Sequence, residues 1–233
     1  MTIPIFVKRH APNVATSVLS GHDVSRLTQT IIAAFLENIK IHRRKLGPLP
    51  KSRMKPQTLQ TQRLILRPFA ETDVPQIVEL LSDPAISATT LNVPYPYDES
   101  TAYDWLDYQK KGWESEEDYT FAVTRRDDGQ FIGAISIRPE PRHLRAEVGY
   151  WIGVPYWGQG YATEATRAII RFGFEALGYN RIYAYHFVGN PASGRVMQKA
   201  GMKKEGVLRQ EVRKGDVFQD HAIYSILRQE WEK

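Results

Sequence analysis

The chain has 233 residues with no cysteine, 42% hydrophobic and 24% charged residues, and a formal net charge of +5. This excludes disulfides, thiolate metal ligation and a cysteine nucleophile, and no apolar run approaches the roughly 20 residues of a membrane helix. The balance is that of a globular chain with a buried core, and the lack of cysteine fits a reducing, cytoplasmic location.

The positive charge is unevenly placed. Residues 1–57 carry ten Lys/Arg against Asp23 and Glu37, which leaves 21 basic and 24 acidic residues in 58–233. Nucleic-acid binding by the larger part therefore gains no support from charge. Within the basic stretch, Leu27, Ile31, Ala34, Phe35 and Ile39 recur at helical spacing over 24–41. The following Arg43-Arg44-Lys45-Leu46-Gly47-Pro48-Leu49-Pro50-Lys51 reads as a linker. Three readings stay open: an organelle-targeting segment, a ribosome- or RNA-contacting arm, or an appendage ahead of a true start at Met54. The expected division is a basic extension over 1–57 and one domain over 58–233.

From Leu59 the pattern becomes regular. Leu59 to Pro68 reads as one strand ended by proline. Thr72 or Asp73 caps a helix carrying Val74, Ile77, Val78, Leu80 and Leu81 that stops near Asp83-Pro84. Asp98 or Ser100 caps a second helix reaching about Trp113. Tyr119–Arg125 and Gln130–Arg138 form a hairpin across Asp127-Asp128-Gly129, and Arg145–Ile152 is a further strand. A helix then runs from Tyr161 or Ala162 to about Leu177, with Gly178 just beyond its end. Arg181–Val188 is a strand, Asn190-Pro191 opens a helix that ends at Ala200-Gly201, and Lys203–Val212 with Val217–Leu227 make a last hairpin. The order β α α β β β α β α β β describes a mixed α+β domain around one sheet.

The informative stretch is the strand–Gly158-Gln159-Gly160-Tyr161-Ala162–helix passage. Unpaired amides and the positive dipole end of a helix N-terminus favour an anion such as pyrophosphate, and glycines let the backbone approach phosphate oxygens. A dinucleotide fingerprint would need a third glycine where Thr163 stands, and an acidic residue where the chain reads Tyr183-Ala184-Tyr185. A Rossmann site is therefore a poor match.

The run Glu147-Val148-Gly149-Tyr150-Trp151-Ile152 with Trp157-Gly158-Gln159-Gly160-Tyr161-Ala162-Thr163-Glu164-Ala165 resembles the acetyl-CoA motif of the GNAT acetyltransferase superfamily. Asn190 to Met202, Glu205-Gly206, Lys214-Gly215-Asp216 and Asp220 to Tyr224 resemble its later segments in the same order, most like the branch of ribosomal-protein N-terminal (Rim-type) acetyltransferases. The resemblance spans about Leu59 to Trp231. One departure is Trp157, at the place where the family usually has Gln or Arg.

The resemblance implies a GNAT-type α+β fold with a mixed sheet of about seven strands and about four helices. It implies an N-acetyltransferase that takes acetyl-CoA as cosubstrate and passes acetyl to a primary amine. The pantetheine arm is expected along Trp151, Ile152 and Val154, and the pyrophosphate on the amides of Gly158, Gln159, Gly160, Tyr161 and Ala162 with Thr163. Asn190 is expected at a pantetheine amide or as a helix cap, and Ser193 as general acid toward the thiolate. Glu147 reads either as a general base acting through water or as an exposed carboxylate paired with Arg145 or Arg142. His186 reads as a satisfied core histidine, and Trp105, Trp113, Tyr95 and Tyr97 as core or as the acceptor mouth. Glu114 to Asp118 reads as a lure for a cationic acceptor or as a solvated turn. No metal is expected. The acceptor stays open between a protein N-terminus, with ribosome contact, and a polyamine, amino sugar or antibiotic. A non-catalytic acyl-CoA-binding module is the reading from another class; the partners expected otherwise are no membrane and a monomer or homodimer.

Overall fold

A computed structural model describes residues 54–231. The expectations for the basic N-terminal stretch lie outside the described residues up to 53. Eight strands form one mixed sheet: β1 Leu59–Gln60, β2 Leu64–Arg67, β3 Tyr119–Arg125, β4 Phe131–Glu140, β5 Arg145–Ile152, β6 Arg181–Phe187, β7 Lys203–Lys214 and β8 Val217–Leu227. Their spatial order is β1-β2-β3-β4-β5-β6-β8-β7, antiparallel at every step except β5–β6. Six helices accompany them: α1 Val74–Leu81, α2 Pro84–Thr89, α3 Glu99–Ser115, α4 Tyr161–Glu175, α5 Pro191–Lys199 and α6 Arg228–Trp231. None of the described helices is long and apolar enough to cross a membrane.

The α+β class and element order agree with the sequence reading, with an eighth strand and two short helices added. The segment read as a first strand is two. Leu59 and Gln60 fold back on Leu66 and Ile65, and the reversal is held by Thr61, whose amide donates to the Leu64 carbonyl and whose hydroxyl oxygen accepts from the Leu64 amide. Asp83-Pro84, read as a stop, also starts α2: the Asp83 carboxylate accepts from the Ala85 amide, and proline sits in the first turn, where its missing N–H costs nothing. Asp98 caps α3 through the Thr101 amide at 2.8 Å. Asp73 does not cap α1 with its side chain. Its carboxylate instead takes the Arg67 guanidinium in a two-pronged ion pair and the Ala70 amide.

The sheet is covered on both faces. Along α4, Ala165, Ile169, Phe172 and Gly173 recur on the buried side and pack with Ile137, Val148, Ile182 and Ala184 of the strands beneath. On the opposite face α1, α2 and α3 cover the β3–β5 half through Val74, Ile77, Leu81, Ile86 and Ala102, which meet Ala122, Phe131, Ala134 and Trp151. Residues alternate along β5, so Val148 and Ile152 enter the first cluster and Trp151 the second.

At Gly133, β4 leaves no room for a side chain beside β5. A Cβ there would lie 2.3 Å from the Trp151 carbonyl oxygen and 2.9 Å from the Ile152 Cα, both of them backbone atoms. Gly133→Ala is expected to destabilise the domain by about 2–3 kcal/mol, the upper range for overpacking, because no side chain can turn aside. Denaturant unfolding of the variant against wild type checks this.

Candidate active site

The parallel ladder between β5 and β6 runs only from Arg145 opposite Arg181 to Val148 opposite Ala184. Beyond it, Gly149–Ile152 pairs only with β4, and Tyr185–Phe187 only with β8. The two strands part, and a cleft of about 1000 Å³ opens between them. Gly153 donates its amide to the Ile132 carbonyl at 2.9 Å, in the same register that pairs Ile152 with Gly133. In an antiparallel ladder the hydrogen-bonding direction alternates. The backbone groups of Gly149 and Trp151 are therefore turned to β4, and those of Tyr150 and Ile152 to the cleft.

At the mouth of this opening the chain leaves β5 and enters α4. Gly158 and Gly160 take φ of +76° and +83°, conformations that side chains disfavour. Gly160 is the N-cap residue of α4 and brings no side-chain cap. Among the described residues, the amides of Gly158 through Thr163 donate to no protein group. Six such donors stand at the positive end of a 15-residue helix, a setting that favours an anion. The loop is held from behind by Glu164, whose carboxylate accepts from the Thr61 hydroxyl at 2.6 Å and from the Arg63 amide and Nε at 2.7 Å each. Arg63 in turn donates to the Gln159 carbonyl and lies 4.7 Å from the centre of the Tyr161 ring. These hydrogen bonds hold the Glu164 carboxyl below its ordinary pKa, against the opposing effect of its burial.

Of the residues singled out in the sequence, Glu147, Trp151, Ile152, Gly158, Gly160, Tyr161, Ala162, Thr163, Asn190 and Ser193 all line the cleft. Val154 and Gln159 do not. Val154 packs with the second apolar cluster, and Gln159 turns back to donate to the Pro155 carbonyl at 3.0 Å. Asn190 caps α5, accepting from the Ser193 amide at 3.3 Å. Trp157, the residue that departs from the family pattern, donates its indole N–H to the Ile152 carbonyl at 2.5 Å. It thereby occupies a backbone acceptor on the open edge.

Glu147 and Ser193 reach this cleft from opposite faces of the sheet. Glu147 shares the face of Trp151, under α1 and α3, whereas Ser193 stands on α5, where Tyr150 meets it across the other face. The exposed carboxylate pair expected for Glu147 is not found. Arg145 is committed to Glu140 at 2.8 Å, and Glu147 is partly buried, facing Arg138 across the β4–β5 register. Burial raises its pKa above the usual range; Arg138 pulls it down, and Glu140 and Asp118 push it further up. Asp118 is not part of a solvated turn. It is buried, accepts from the Thr120 hydroxyl and Arg138 at 3.0 and 3.2 Å, and lines the cleft with a pKa raised chiefly by burial.

The aromatic candidates separate. Trp105 and Tyr97 line the cleft, Trp113 is core with its indole N–H on the Thr120 carbonyl, and Tyr95 is exposed and lies outside. His186 is buried as expected but only half satisfied. Its Nδ1 lies 2.7 Å from the Phe187 carbonyl, which can only accept, so Nδ1 carries a hydrogen; Nε2 has no partner among the described residues. Sequence reasoning missed three groups: the Tyr150 hydroxyl, Arg138, and Gln109, whose buried Oε1 is unpartnered on the cleft wall. Only Arg138 left a signal, through its register opposite Glu147. Among the described residues no group of three His, Asp or Glu side chains is placed to hold a metal ion.

Residues 63–203 match the model of a family described as an acetyltransferase (GNAT) domain. The uncharacterized N-acetyltransferase YoaA of Bacillus subtilis is 32% identical over 176 residues, covering 73% of this chain and 96% of that protein. The ribosomal-protein-serine acetyltransferase of Escherichia coli is 32% identical over 106 residues, covering 45% of this chain and 58% of that one. Among solved structures, Mycobacterium smegmatis RimJ in complex with CoA-disulfide superposes with a TM-score of 0.69 at 21% identity, covering 77% and 93% of the two chains, a likeness of fold.

The burial of Glu147 has a thermodynamic sign. Its folded pKa is raised, so the stability linked to its protonated form is present at low pH and lost as pH rises through that pKa. Glu147→Gln removes the buried charge and is expected to raise Tm at pH 7 but not at pH 4. The gain would be about 2–4 °C per kcal/mol released for a domain of this size. Thermal melts at the two pH values check it.

Proposed function

The chain belongs to the GNAT acetyltransferase family, and on that premise we propose that the unit from residue 58 onward transfers acetyl from acetyl-CoA to a primary amine by direct attack in a ternary complex. The observation that carries this reading is the parted β5–β6 pair, which joins six unpaired amides, an open strand edge and two proton-handling groups on opposite faces in one cleft. The amides of Gly158 to Thr163 suit the pyrophosphate, and the outward edge of Tyr150 and Ile152 suits the amide-bearing pantetheine arm. The Ile152 N–H is the donor best turned to steady negative charge on the acyl oxygen as the amine attacks. RimJ, which shares the fold, was solved with a CoA-disulfide, and this supports the assignment of the cosubstrate.

Glu147 takes the amine proton, directly or through one water. Its raised pKa brings it closer to the amine it must deprotonate, which favours transfer. The amine thus enters on the face of α1–α3, opposite the side from which α5 presents Ser193. Separate entries for acceptor and cosubstrate are what a ternary complex needs. Ser193 hands a proton to the departing sulfur.

For the acceptor we take a protein N-terminal α-amine. It is appreciably neutral at pH 7, because its ordinary pKa is about 7.7–8.0. Relatives include the ribosomal-protein-serine acetyltransferase. A polyamine is the second reading, favoured by the carboxylates of Asp118, Glu147 and Glu211 on the cleft wall.

Calorimetry with acetyl-CoA, followed by thiol release with N-terminal peptides and polyamines, tests the proposal. Micromolar binding that disappears in Gly160→Trp, with amine-dependent thiol release, is the expected result. A folded protein that binds no acetyl-CoA overturns it, and binding without turnover on any amine leaves only the acyl-CoA-binding module. Glu147→Gln should lower kcat/KM by at least roughly 10²-fold, the scale of a general base. In wild type the acid limb of the pH profile should lie above the range of an ordinary carboxylate, because the pKa is raised.

Trp157 makes a separate prediction. Its indole N–H holds an acceptor that the pantetheine arm would use, so binding has to displace it. Trp157→Phe should bind acetyl-CoA roughly two- to tenfold more tightly, the worth of one net hydrogen bond. Weaker binding would instead make the indole a ligand contact.

A further inference from the structure

The phenol of Tyr150 stands behind the hydroxyl of Ser193. The two oxygens are 2.7 Å apart, and the phenol oxygen is also 3.2 Å from the Ser193 backbone carbonyl. Both residues line the cleft. The Ser193 backbone is fixed in the first turn of α5 by the Asn190 cap, and Tyr150 is fixed by its place on β5 just past the last rung shared with β6.

Two hydrogen arrangements fit these oxygens. In one, the phenol donates to the Ser193 carbonyl and accepts from the Ser193 hydroxyl, which then has no hydrogen to offer the cleft. In the other, the phenol donates to the Ser193 oxygen, and the serine hydrogen is free to point at the cleft. The carbonyl cannot donate and the phenol has one hydrogen, so there is no third arrangement that uses the short contact. Burial pushes the phenol pKa up to about 12, so Tyr150 keeps its hydrogen throughout the working range. It is well suited to donate a hydrogen bond and keep its proton.

We propose that Tyr150 is a positioning residue for the departing sulfur: by donating to Ser193 Oγ it turns the serine hydrogen into the cleft and makes Ser193 a donor there. The inference rests on the acetyl-transfer reading above. In the step concerned, the C–N bond forms as the C–S bond breaks, and the electron pair leaves on sulfur. The sulfur takes the Ser193 proton. Ser193 recovers a proton through solvent from Glu147, which received the one shed by the amine, so atoms and charge balance.

The test compares wild type, Tyr150→Phe, Ser193→Ala and the double variant, using spermine or a serine-initiated peptide as acceptor, whichever is turned over. Each enzyme is assayed with acetyl-CoA and with its selenoester analogue, whose far more acidic selenol leaves without needing a proton. Tyr150→Phe is expected to keep the acetyl-CoA Kd and lower kcat roughly tenfold, less than loss of a general acid outright. That loss should shrink on the selenoester, and the double variant should be no slower than Ser193→Ala. A kcat unchanged in Tyr150→Phe, equal losses on both donors, or additive losses in the double variant would each overturn the proposal while leaving acetyl transfer intact. A Ser193→Ala enzyme with wild-type kcat would remove Ser193 as acid, and the role of Tyr150 with it. Should Tyr150→Phe not fold, fluorotyrosine at 150 keeps the ring and strengthens its donor. It should change kcat on the thioester alone, and no change on either donor overturns the idea.

Discussion

Between Val148 and Gly149 the ladder of the one parallel strand pair runs out, and the chemistry proposed for this molecule depends on the two edges left unpaired there. Unpaired backbone amides and carbonyls in a protein interior are costly unless something else meets them. Here the open edge of β5 meets an indole at Ile152 and a void elsewhere. The sheet tolerates this because both strands are secured on their far sides, β5 by eight residues opposite β4 and β6 by seven opposite β8. The split has the polarity of a missing strand. A thin, amide-bearing chain can complete it, and a bulky ligand cannot.

The same parting explains how groups on different faces come to share one site. In a closed sheet Glu147 and Ser193 would be separated by a continuous layer of backbone. Where the layer opens, the face under α1–α3 and the face under α5 communicate. Each face keeps its own electrostatic character. The first holds Asp118, Arg138 and Glu147 together, where burial raises the Glu147 pKa against the pull of Arg138; the second pairs two hydroxyls, and burial keeps the phenol protonated.

Much of this was legible in the residues. The glycine pair at 158 and 160 before a helix announced an anion-binding turn, and the alternation along Arg145–Ile152 located the strand beside it. What stayed illegible was set by contacts distant in sequence. Nothing in Thr61-Gln62-Arg63 marks a reversal, because the local bonds between Thr61 and Leu64 are joined by Glu164, about a hundred residues further on. Proline at 84 ends one helix and equally begins another, and local sequence does not decide between the two. Glu147 seemed free to pair with Arg145 because they are two apart on the same strand face, yet Arg145 is taken by Glu140 across the strand pair. The Tyr150 hydroxyl carried no signal, because its partner lies on a helix forty-three residues away.

Trp157 shows how a departure from a pattern can be read physically. A family position that usually carries Gln or Arg supplies a hydrogen-bond donor, and the indole N–H of Trp157 supplies one too, here to the Ile152 carbonyl. The substitution keeps a donor but removes flexibility and adds a large ring, 45% exposed at the cleft rim. The rigid aromatic rests on the open strand edge. It must move when a ligand pairs with that edge, and part of the ligand's binding energy goes into that movement. Affinity at this site is therefore set by the difference between two occupants of one carbonyl, not by the number of contacts that the ligand makes.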